Sequence, residues 1–74
     1  MDGIRFSGTL RNKNNDKGFA FIRRTDGEAD VFIHRSAFKQ RPGDWDSLRD
    51  GQALEFEIED RGKGPRAKDV AILN

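Results

Sequence analysis

Two short stretches decide the fold of this chain: K-G-F-A-F-I at residues 17–22 and V-F-I-H at residues 31–34. Each alternates between two kinds of side chain with a period of two, which is typical of β-strands. Between them lies Asp26-Gly27, a strong short-range signal for a hairpin turn. The two strands are therefore expected to pair antiparallel, with the small aliphatic residues on one face and the aromatic residues on the other.

Which of the two faces points inward is the central question. The small aliphatic set (Ala20, Ile22, Val31 and Ile33) suits the narrow interior of a small barrel, and we predict that it faces inward. The outer face then carries Phe19, Phe21, Phe32 and His34. The pattern alone leaves the inverted register open. An outward aromatic patch is unusual for a monomer, and it favours the binding of nucleic-acid bases or, alternatively, of a protein.

Three further strands are predicted around this hairpin, which gives the set 5–13, 18–24, 30–34, 52–60 and 66–73. A short helical turn is expected at 35–38. The connection over 36–51 is long for a small domain, and loops of this length are often functional. Five short strands separated by turn residues favour a closed barrel, since two small sheets would leave many unpaired edges. We expect a single domain over residues 1–74.

Composition excludes several classes of protein. The 74 residues contain no cysteine and one histidine, so neither disulfides nor a cysteine-ligated metal is expected. No nucleophile–base pair can be assembled, so we predict that the chain is not an enzyme and uses no cofactor. It has no apolar run that could cross a membrane and no secretory leader, so a cytoplasmic location is expected.

The charge is unevenly distributed along the chain, although the net charge is only +1. Residues 1–41 carry nine Lys or Arg against five Asp or Glu, and residues 42–74 carry five against eight. Cations near the aromatic residues are expected to border the patch and to meet phosphates: Arg11, Lys13, Lys17 and Arg35. Later cations (Arg61, Lys63 and Arg66) either extend this border or belong to a solvated turn, which is the interpretation we favour.

The two motifs resemble the ribonucleoprotein motifs of cold-shock domains, which usually read K-G-F-G-F-I and V-F-V-H. Their offset also fits, as do the residues 36–38 and 64–65, and the resemblance covers about residues 6–73. It implies an all-β fold, a five-stranded antiparallel barrel of the oligonucleotide-binding (OB-fold) type. It further implies a monomer that binds single-stranded RNA or DNA, as an RNA chaperone or a regulator of transcription or translation.

The resemblance also suggests which residues bind. Phe19, Phe21, Phe32 and His34 match the family's central stacking positions, and Lys17 matches the basic residue before the first motif. Trp45 resembles a loop aromatic that flanks the family's binding surface; a cap over the end of the barrel is the alternative.

The chain departs from the family pattern in its first strand. Asn12 and Lys13 stand where the family has tryptophan and phenylalanine, and Arg35 stands where phenylalanine is frequent. Because each stacked base contributes about 1–3 kcal/mol, we expect weaker binding with a stronger dependence on salt than is typical of the family. The alternative function is an accessory or protein-interaction module with reduced affinity for nucleic acid.

Overall fold

The computed structural model describes residues 4–38, 42–60, 62 and 64–73. Its strands are β1 (Phe6–Asn14), β2 (Phe19–Arg24), β3 (Val31–His34), β4 (Ala53–Asp60) and β5 (Pro65–Ile72). Between β3 and β4 lie a 3₁₀ turn (Arg35–Phe38) and a short helix α1 (Pro42–Ser47). Each predicted strand boundary is correct to within one residue, whereas α1 was not predicted.

The five strands form a closed barrel in the order β1-β2-β3-β5-β4. Four of the pairings are antiparallel, as expected. The barrel is closed by a short parallel contact between β3 and β5, at which Phe32 lies opposite Arg66. Closure leaves no long unpaired strand edge in the described sheet. An exposed edge could otherwise pair with a strand of another chain and aggregate.

Small and medium-sized aliphatic side chains fill the barrel interior. Ala20, Ile22, Val31 and Ile33 are fully buried, together with Leu10, Leu54 and Phe56. Their alternate neighbours on β2 and β3 are only half-buried. The predicted register is therefore confirmed, and the inverted arrangement with Phe19, Phe21 and Phe32 in the core is excluded.

Helix α1 and the 3₁₀ turn cover one end of the barrel. Phe38, Trp45 and Leu48 are buried there and join the core. The rings of Phe38 and Trp45 lie 6.4 Å apart between centroids. The described parts of the long connection thus include the 3₁₀ turn and α1 and are not structureless. Among the described residues, neither helical segment has the length and apolar character needed to cross a membrane.

Strand β1 pairs with both β2 and β4, and Gly8 makes this double pairing possible. Gly8 pairs with Arg24 on β2 and with Leu54 on β4. A Cβ atom at this position would lie 2.4 Å from the carbonyl oxygen of Arg23 and 2.6 Å from Cγ2 of Ile22. The close approach of β2 to β1 therefore requires a residue without a side chain.

We expect Gly8→Ala to destabilise the barrel by about 1–3 kcal/mol or more, because backbone atoms would have to move apart. Urea unfolding followed by the fluorescence of Trp45 measures this. The matched control is Gly43→Ala in α1, where a Cβ meets nothing within 4 Å. The control should keep or slightly raise stability through helix propensity. Equal midpoints for the two variants would contradict the steric requirement at Gly8.

The turn between β2 and β3 is held by an ion pair. The Arg24 guanidinium donates a hydrogen bond to the Asp26 carboxylate and also lies over the ring of Phe6, 4.6 Å from its centroid. The backbone N–H of Glu28 donates to Asp26 Oδ1 at 3.1 Å. The hydrogen bond from Arg24 and then that from Glu28 lower the pKa of Asp26 below its ordinary value.

A lowered folded-state pKa stabilises the fold at neutral pH, and this contribution disappears as the pH falls below about 4, the ordinary pKa of aspartate. We therefore expect Asp26→Asn to unfold more easily than the wild type at pH 7. The difference in urea midpoint between the wild type and Asp26→Asn should shrink as the pH falls from about 5 to below about 4. Asp30→Asn, at the far end of the same connection, is the control and should show a smaller pH-dependent difference.

Candidate nucleic-acid interface

Four side chains form an aromatic platform on the outer face of β2 and β3: Phe19, Phe21, Phe32 and His34. The antiparallel register places Phe19 opposite His34, and Phe21 opposite Phe32. All four are half-buried, so each keeps part of its surface open to solvent. Alternation in the two strands assembles this platform, because the residues between these four fill the barrel.

The three rings of the platform contact one another. The centroids of Phe19 and Phe32 are 5.9 Å apart and their planes differ by 26°. Phe21 meets both rings edge-on, at 6.0 Å from Phe19 and 5.9 Å from Phe32. Edge-to-face contacts at these distances are favourable, so the rings hold one another in place without a ligand.

His34 is oriented by the residue two positions after it. The backbone N–H of Ser36 donates to His34 Nδ1 at 3.1 Å, and the Ser36 hydroxyl lies 3.0 Å from the same atom. Because Nδ1 accepts a backbone hydrogen bond, the neutral ring carries its proton on Nε2. His34 therefore offers a fixed aromatic face together with an N–H donor.

Three exposed cations form a basic rim around the platform: Arg11, Lys17 and Arg35. Arg11 lies opposite Phe21 in the β1–β2 register. Lys17 lies in the turn before β2, where its backbone N–H donates to Asn14 Oδ1 and the N–H of Gly18 donates to the Asn14 carbonyl. Arg35 lies across the bare backbone of Gly18, where an added Cβ would be 2.8 Å from Arg35 Cδ. The rim therefore extends from β1 to the start of β2 and the end of β3.

Lys13 does not belong to this rim, which corrects our expectation. A bulge between Arg11 and Asn14 shifts the β1–β2 register, and Asn14 rather than Lys13 lies opposite Phe19. The Lys13 ammonium donates to the carbonyl oxygens of Trp45 at 2.6 Å and Leu48 at 2.9 Å. It also lies 5.0 Å from the centroid of the Trp45 ring. Lys13 thus ties the end of α1 to the barrel.

Trp45 also lies away from the platform surface. It retains only 4% exposure and packs in the core cluster. A ring so enclosed has no face on which a base can stack. The structure therefore favours the alternative, a cap over the barrel end, over a place for Trp45 on the binding surface.

Arg66 was the cation that sequence reasoning missed. The strand predicted over 66–73 includes it, but nothing in the sequence indicates its neighbour: Arg66 lies opposite Phe32, with its guanidinium carbon 5.9 Å from the ring centroid. The parallel pairing that closes the barrel produces this contact, and no local pattern signals it.

Arg61 and Lys63 lie outside the described residues. Within the described part of the chain, no group of three or more His, Cys, Asp or Glu could hold a metal ion.

Comparison with known proteins agrees with this geometry. The family model described as the 'cold-shock' DNA-binding domain matches residues 6–73. The chain belongs to this family. Similar proteins include a cold shock-like protein of Aquifex aeolicus, 41% identical over 68 residues, and the major cold shock protein CspA of Bacillus cereus, 47% identical over 67 residues. These alignments cover 92% and 90% of this chain, and 94% and 96% of the two relatives.

Asn12 and Lys13, two of the residues at which this chain differs from the motif it resembles, lie at the bulge in β1. Asn12 adopts φ 55°, in the left-handed region that asparagine tolerates better than bulky residues do. Its neighbour Lys13 then points to the barrel end instead of the platform. Asn12 is thus a bulge residue and Lys13 a structural lysine.

We expect Lys13→Met to lower the stability of the cold-shock domain by about 1–3 kcal/mol, because two charged hydrogen bonds to backbone carbonyls are lost. Urea unfolding gives the size of the loss, and a changed emission maximum of Trp45 shows that α1 has loosened. Arg11→Met makes the same chemical change at an exposed position and should alter stability by less than about 0.5 kcal/mol. A Lys13 variant as stable as the Arg11 variant would show that the lysine does not hold α1.

Proposed function

We propose that this cold-shock domain binds single-stranded RNA or DNA, with bases stacked on the aromatic platform and phosphates held by the basic rim. The observation that carries the proposal is the placement of three phenylalanine rings and a histidine together on one outer face. A folded monomer gains nothing from leaving such a surface uncovered, whereas a base gains about 1–3 kcal/mol by stacking on an aromatic side chain.

The platform favours unpaired over paired nucleic acid. In a duplex the faces of the bases are already stacked on their neighbours, so a protein ring can reach them only after strand separation. The nearly parallel rings of Phe19 and Phe32 suit two bases of one flexible strand. His34 adds an N–H donor that can reach a base edge.

The basic rim supplies the electrostatic part of the proposal. Each phosphate contact with a single strand contributes about −0.7 to the slope of log K against log salt concentration. The three cations Arg11, Lys17 and Arg35 therefore give a slope of about −2. With Asn12, Lys13 and Arg35 in place of family aromatics, fewer rings stack bases, so affinity is expected to be lower than is typical of the family.

Such binding acts on RNA structure without catalysis. A protein that binds the open form of a hairpin and not the closed form shifts the equilibrium toward the open form by mass action. No nucleotide hydrolysis is required. A role as RNA chaperone, or as a regulator that keeps a message unpaired, follows from this equilibrium.

We expect Phe32→Ala and Phe19→Ala each to weaken binding of a labelled oligo-dT or oligo-rU by about 5-fold to 150-fold, through the loss of one stacking surface. Fluorescence anisotropy measures the dissociation constants, with a duplex of equal length as the negative ligand. The control is Ile4→Ala, an apolar truncation at a side chain that is 77% exposed and lies outside the platform. Circular dichroism confirms that each variant is folded.

Two results would contradict the proposal. Equal affinity of the wild type and both phenylalanine variants would show that the platform does not stack bases. Equal affinity for duplex and single strand would show that only charge is recognised. In the first case the platform is available for a protein partner, and the accessory or protein-interaction role becomes the better description.

A further inference from the structure

The outer face of the barrel carries a transverse row of side chains that crosses four strands. The pairings place Arg11 opposite Phe21, Phe21 opposite Phe32, and Phe32 opposite Arg66. Neighbouring strands are about 4.8 Å apart, so the row is roughly 14 Å long. Two phenylalanines thus lie between two arginines, one at each end.

Carboxylates follow Arg66 on the neighbouring strand. The next strand is β4, on which Glu59 lies opposite Arg66. Glu55 and Glu57 follow on the same outer face of β4, because the residues that alternate with them, Leu54 and Phe56, are buried. Arg5 is paired with Glu55 and Glu57 at 3.1 Å and 3.6 Å, so Arg5 is committed to protein carboxylates. Arg66 is exposed and lies directly beside Phe32 at this edge of the platform.

We propose that Arg66 is a further phosphate-binding residue, which holds the nucleotide whose base stacks on Phe32. This inference rests on the proposed function and adds the β5 edge to its site. The guanidinium carbon is 5.9 Å from the centroid of the Phe32 ring, so the cation lies beside the base that this ring would stack. A guanidinium offers a planar set of donors that matches phosphate oxygens.

The same geometry has a competing interpretation. Arg66 lies near enough to Phe32 for a cation–π contact, which in the free protein shields part of the ring. If shielding were its main effect, removal of the guanidinium would expose Phe32 and tighten binding. The two interpretations therefore predict changes of affinity with opposite signs.

The test compares Arg66→Gln with Lys68→Gln, which removes the same charge from an exposed position on the same strand, opposite Glu57. Affinity for oligo-dT and oligo-rU is measured by anisotropy across a series of salt concentrations. For Arg66→Gln we expect binding weakened about fivefold to tenfold at low salt, with a slope shallower by about 0.7. The loss should be equal for both oligonucleotides, since phosphates carry no sequence information.

Lys68→Gln should leave the slope of log K against log salt concentration nearly unchanged. Arg66→Lys keeps the positive charge and should retain most of the wild-type slope. Equal effects of Arg66→Gln and Lys68→Gln would reduce the role of Arg66 to general charge and overturn the inference, as would tighter binding by Arg66→Gln. Phe32→Ala is measured in parallel: if it weakens binding while Arg66→Gln does not, the inference fails and the proposed function stands. If neither variant differs from the wild type, both fail.

Discussion

The strict alternation of β2 and β3 is the constraint on which the rest of the structure depends. The barrel is narrow, and Ala20, Ile22, Val31 and Ile33 fill its interior with full burial. Since successive side chains of a strand point to opposite faces, this choice commits every intervening residue to the outside. The platform is thus a consequence of how the core is packed. A shift of one residue in either strand would exchange core and platform together, so the fold cannot form without presenting the aromatic residues.

Two positions in β1 decide how the strand packs and which of its side chains reach the platform. Gly8 allows β1 to serve two sheet neighbours at close range. Four residues later, the left-handed Asn12 inserts a bulge and shifts the register. Arg11, before the bulge, stays on the outer face beside Phe21. Lys13, after it, turns to the end of the barrel. One inserted residue therefore separates a surface cation from a structural one, although the two are only two positions apart.

Local patterns predicted the strands and the direction of the phenylalanines because both depend on residues that are neighbours in sequence. The period of two in residues 18–24 and 30–34, together with the Asp26-Gly27 turn, was sufficient. The position of Lys13 was not predictable in this way, because a bulge changes register without changing composition. Trp45 and Arg66 were misplaced for a related reason. Burial of Trp45 depends on α1, which has only six residues, and the neighbour of Arg66 is set by barrel closure across 34 positions of sequence.

The positive charge of this chain is divided between structural and surface roles, and the division matters more than the net charge of +1. Arg5 donates to Glu55 Oε1 at 3.1 Å and to the Asp69 carbonyl at 2.7 Å, and so ties the start of β1 to β4 and β5. Arg24 holds the β2–β3 turn, and Lys13 holds α1. A cation committed to a protein acceptor has fewer donors for phosphate and releases fewer counterions. In the binding mode that we propose, the salt dependence is governed by the few exposed cations beside the platform, and a count of lysines and arginines in the first half of the chain overstates it.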